Sequence, residues 1–141
     1  MKKYIFGVED IKSLKLDIGL LGMRLFFGLT MAFAHGFKKM PPSDGFSAKI
    51  AEMGLPFPDL MAWCASFSEF FGGILIALGL FTRFSASSLA FTMFIAAFVA
   101  HGSDPFGKKE LALCFMFVSL FFALIGPGRI SLDRVLNGRF K

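Results

Sequence analysis

Long runs of apolar residues joined by short polar links fill most of this chain, and few folds are open to such a pattern. Four runs, near 18–36, 59–81, 84–101 and 110–126, each approach the roughly 17–25 residues with which a helix crosses the hydrocarbon core of a bilayer. The runs are continuous rather than alternating, which argues against barrel strands, and every backbone group in lipid needs an internal partner. With 55% apolar and 18% charged residues in a length of 141, an ordinary soluble domain is excluded. The expected fold class is all-α, an integral membrane four-helix bundle over 18–136. A polar lead (1–17) and a basic tail (137–141) flank it.

The net charge of +5 raises the possibility of nucleic acid, but the placement of the cations points to membrane orientation instead. Lys2, Lys3, Lys12, Lys15, Arg83, Arg129, Arg134, Arg139 and Lys141 fall on one side of the expected topology, and Lys38, Lys39, Lys49, Lys108 and Lys109 on the other. Cations concentrate on the cytoplasmic side, so both termini are expected there. Ala32-Phe33-Ala34 has the small-residue look of a signal cleavage site. The 17-residue polar lead and the arginine inside the apolar run argue against cleavage.

The link over 38–58 is the one long loop. Within it Ser43 or Asp44 is placed to cap a short amphipathic helix through Phe46, Ile50 and Met53, stopped by Gly54 and Pro56. Such a helix belongs on the membrane surface, as a lid over whatever opens there. The link at Thr82-Arg83 is short enough to force an antiparallel hairpin. Ala-His-Gly recurs at 34–36 and 100–102, each time followed within a few residues by Lys-Lys, a faint internal echo. The 21 phenylalanines read as packing or lipid-facing residues rather than as a cofactor box.

Two charges lie where lipid should be, Arg24 in the first run and Glu69 in the second. Unpaired charge at membrane depth is costly, so the two are expected to meet inside the protein. Counted from the outer ends of their runs, their depths differ by about 5 Å. Such a pair fixes the register of the helices, binds a head group or moves a proton. Arg24 and His35 are eleven residues apart, about 20° of rotation and 16 Å of rise, and so face one interior. His35, His101 and Glu110 are expected in one layer at the outer ends. Two imidazoles and a carboxylate form a ligand set for zinc, copper or iron, or a proton relay. They come from three helices with no local spacing motif, so interfacial histidines with Glu110 near a helix N-terminus are preferred over a metal. Cys64 and Cys114 have similar depth; buried cysteine is usually plain packing, and pairing stays open. There is no C-x-x-C, phosphate loop, nucleophile elbow or haem motif.

These residues together resemble the DoxX family. The matching pieces are Leu21-Gly22-Met23-Arg24-Leu25, Ala34-His35-Gly36-Phe37-Lys38-Lys39-Met40, Gly54-Leu55-Pro56, Glu69-Phe70-Phe71-Gly72-Gly73 and Gly79-Leu80-Phe81-Thr82-Arg83, with His101 and Glu110. They cover about 17–136. The resemblance implies a four-helix protein of the bacterial inner membrane with a loose tie to redox biology. Related DoxD-type proteins are membrane subunits of thiosulfate:quinone oxidoreductase, and some DoxX proteins are linked to thiol or oxidative-stress defence.

The leading expectation is therefore an outward-opening polar pocket for a quinone, anchored or protonated by Arg24 and Glu69, with His35, His101 and Glu110 near its mouth. Surrounding lipid, a redox protein that delivers electrons and a second copy of the chain are the expected partners. A non-catalytic scaffold for a redox partner is the alternative, and a small-solute transporter a third class, since four short spans are few for a carrier.

Overall fold

The computed structural model describes residues 14–139. The expected polar lead lies largely outside that range. Among the described residues every regular element is helical. Helix α1 (Leu14–Leu29) runs into a π-helical stretch (Thr30–Gly36) and a short 3-10 turn (Phe37–Lys39), making one rod that ends at Lys39. Then come α2 (Asp44–Glu52), α3 (Pro58–Leu78), α4 (Thr82–Ile95) with a π-helical extension (Ala96–Ala100), α5 (Phe106–Ile125) and α6 (Leu132–Arg139). Among the described residues three rods are long and apolar enough to cross a membrane: Leu14–Lys39, Pro58–Leu78 and Thr82–Ala100. Helix α5 has 20 residues. Lys108, Lys109 and Glu110 occupy its early turns, and an uncharged stretch follows from Leu111 to Ile125.

Chain chemistry accounts for the boundaries. Ser43 caps α2 by accepting from Phe46 N at 3.2 Å, and Gly54 turns the chain at φ +73°, as the sequence suggests. Pro58 opens α3, where its missing N–H costs nothing. Gly79 ends α3 in the left-handed region at φ +69°, so the chain reverses within a few residues.

The first rod packs on α3, α3 on α4, and α4 on α5, while α2 lies against α3. Glycines set the closest crossing. A Cβ on Gly28 would strike the Gly73 carbonyl and the Ala77 backbone, and one on Gly73 would sit 2.7 Å from Gly28 O and 2.8 Å from Ala32 N. A Cβ on Gly36 would collide with Phe70 and Glu69 backbone. Small residues let membrane helices touch backbone to backbone. This contact fixes register: Gly28 lies beside Gly73–Ala77, and Gly36 beside Phe70. Phe27, Met31, Ile76, Leu89, Met93 and Phe122 fill the core between the rods.

Candidate functional site

The register separates the two charges expected to pair. Arg24, 1% exposed, donates from Nε to Ala77 O (3.2 Å), from Nη1 to Pro127 O and from Nη2 to Ile130 O (2.8 Å). Glu69 lies two turns back along α3 from Ala77, roughly 12 Å at 1.5 Å per residue. Its carboxylate accepts from Lys39 Nζ instead, at 2.7 and 2.8 Å. The expected Arg24–Glu69 pair is therefore replaced by two separate centres. The depth estimate failed because it put the outer ends of the first two runs level, whereas glycine contacts set Gly36 beside Phe70, twelve residues into α3.

Arg24 belongs to a polar knot at the end of the molecule that carries residues 79–82 and 126–133. Asp133, fully buried, accepts from Phe81 N (2.8 Å) and Thr82 N (3.1 Å), and its own N–H donates to Gly79 O (2.8 Å). It caps α4 from a distance, because Phe81 precedes that helix at φ +47° and offers no side-chain cap. Asp17 accepts from Arg129 N (3.1 Å) and Nε (2.7 Å). Carbonyls and amides that helix ends leave unpaired are satisfied here by charged side chains, so the knot is a structural staple.

The other centre sits at the opposite end of the rods, under α2. A cavity of about 410 Å³ opens between α2, α3 and α4. Phe46, Ile50, Met53, Leu55, Pro56, Met61, Phe91 and Ile95 form apolar walls, Cys64, Ala65, Ala96 and Ala100 smaller patches, and Lys39, Glu69, Ser88 and Thr92 the polar part. Glu69 is 3% exposed and Lys39 37%, so the carboxylate meets water mainly through the ammonium. Lys39 Nζ also lies 5.5 Å from the Phe46 ring centroid, within the range of a cation–π contact. Ser88 donates to Ser68 Oγ (3.1 Å) and Thr92 to Ser88 O (3.1 Å). The arrangement can hold an amphipathic molecule, with its tail against the walls and its polar head at the ion pair.

The remaining expected site residues lie elsewhere. His35 packs edge-on against Phe115 at 5.2 Å. His101 Nδ1 meets Asp104 Oδ2 at 2.8 Å, and that hydrogen bond, more than the nearby Lys108, holds the Asp104 carboxyl below its ordinary value of 3.8. Glu110 is exposed. Neither histidine, nor Glu110, nor Arg24 is among the cavity-lining residues. Among the described residues no three His, Cys, Asp or Glu side chains converge as a metal site. Cys64 and Cys114 are both free thiols. Lys39 and Asp133 are the residues that sequence reasoning missed. Lys39 was legible only as a loop cation, although it lies four residues, about one helical turn, beyond His35 on the same rod.

The DoxX family model matches residues 19–102, more than half of the chain. The chain belongs to the DoxX family. CatD of Bacillus subtilis, named provisionally as an oxidoreductase, is 30% identical over 118 residues, covering 83% of this chain and 86% of CatD. The inner membrane proteins YphA and YqjF of Escherichia coli are 36% and 31% identical, over 70% and 88% of this chain and 77% and 96% of their own lengths. No solved structure matches the chain. This DoxX protein is thus a helical membrane protein whose relatives include inner membrane proteins.

Proposed function

We propose that the chain is a four-span inner-membrane protein with both termini in the cytoplasm, whose cavity binds a quinone on behalf of a redox protein partner. The uncharged length of α5 supports a fourth span, with the charges of its early turns at head-group level. The cation distribution supports the orientation. The provisional name of CatD supports the redox setting.

One observation carries the ligand reading: a cavity of about 410 Å³ with apolar walls and the Lys39–Glu69 pair in its lining. That volume falls in the roughly 300–1,000 Å³ range of small-molecule sites, and a donor beside a carboxylate suits a head that exchanges protons. A bound quinone supplies reversible two-electron, two-proton chemistry, with the electrons exchanged through the partner protein. Lys39 orients the head by donating to an oxygen, Glu69 holds or passes a proton, and the apolar walls exclude water. Solid packing in this region would instead favour a pure scaffold.

Titration of the purified protein with a short-chain quinone, followed by fluorescence of Trp63 beside the lining Cys64, should give saturable quenching. Lys39→Ala and Glu69→Gln should weaken it. A protein that is helical by circular dichroism yet shows no saturation would end the quinone reading.

A further inference from the structure

The hydrogen-bond inventory of the cavity determines which head group it accepts, an inference that rests on the ligand-binding reading above. An ammonium has three donors. That of Lys39 faces both oxygens of Glu69, at 2.7 and 2.8 Å, and the Phe46 ring lies 5.5 Å away. The hydroxyl of Ser88 already donates to Ser68, and that of Thr92 to the Ser88 carbonyl. What the lining still offers is mostly acceptor capacity: the remaining lone pairs of Glu69 and the hydroxyl oxygens of Ser88 and Thr92. Against these stand the N–H groups of Lys39 that Glu69 leaves free and the weak thiol donor of Cys64.

We propose that the site selects a neutral aromatic head bearing hydroxyl groups, a quinol or related phenol, over its carbonyl-only oxidised form and over anionic lipids. A head with its own O–H donors satisfies the acceptors, whereas carbonyl oxygens meet further acceptors and compete with Glu69 for the Lys39 ammonium. Leaving a buried partner unpaired carries the desolvation penalty. A carboxylate or phosphate head fares worse. It draws Lys39 away from Glu69 and places a second negative charge beside a carboxylate that is 3% exposed.

Calorimetric titration of the whole purified protein with four probes sharing one alkyl tail tests this: an anaerobic quinol, its quinone, its dimethyl ether and a fatty acid. The quinol should bind about tenfold tighter than the quinone, the worth of one charge-assisted hydrogen bond. The dimethyl ether should lose that advantage and the fatty acid should bind weakest. Thr92→Val, which removes one acceptor while nearly keeping shape, should narrow the quinol–quinone gap. Equal or tighter quinone binding, or tightest binding by the fatty acid, overturns the selectivity while leaving a ligand site in place. Failure of every probe to bind removes the ligand reading itself and the inference with it.

Discussion

Arg24 directs its guanidinium at three carbonyls on separate segments, Ala77, Pro127 and Ile130. A lysine has enough donors for this but not the planar fork that spans them. Arg24→Lys should therefore lower the thermal stability of the detergent-solubilised protein, since each orphaned buried carbonyl costs about 1–3 kcal/mol. Ligand affinity of the molecules that remain folded should not change, because Arg24 does not line the cavity. Asp104 sets an acid-side dependence. Its folded-state pKa is depressed from 3.8, chiefly by the His101 hydrogen bond, so its contribution is complete above 3.8 and disappears as pH falls through the lower folded value. Unfolding curves collected downward from pH 5 should show this loss in the parent protein, and Asp104→Asn should flatten it.

Among the elements, the glycine crossing decides more than any single polar contact. Gly73 faces Gly28 O and Ala32 N at distances no real Cβ tolerates, so Gly73→Leu should force the first rod off α3. The expected outcome is a loss of about 3 kcal/mol or more, at the upper end of overpacking costs, with a lowered melting temperature and broadened NMR methyl signals as readouts. Helix positions and the Ser43 cap were legible in the sequence because hydrophobic runs and capping residues act locally. Charge pairing was not. Which residue meets Glu69 depends on the sliding register between two rods, set by backbone contact at Gly28, Gly36 and Gly73. Asp133 escaped for a related reason, since a carboxylate that caps a helix start 51 and 52 residues away leaves no local spacing signal.

At the scale of the molecule, the buried charged side chains among the described residues divide between two places: Asp17, Arg24 and Asp133 in a knot that closes the turns, and Glu69 in a cavity under α2. The proposed four-span topology puts the cavity end outside. With Cys64 and Cys114 replaced by serine, Lys49→Cys should react with a membrane-impermeant maleimide in intact spheroplasts. A cysteine placed in the 137–141 tail should react only after lysis, and the reverse pattern would invert the orientation.

Lys39 is the last residue of the first rod, and only Met40, Pro41 and Pro42 stand between it and the Ser43 cap of α2. The ammonium that pairs with Glu69 and the helix that roofs the cavity are thus two ends of one stiff, proline-bearing tether. The placement of α2 and that of the ammonium are therefore not independent, and any shift of the roof would be felt at the ion pair in the lining.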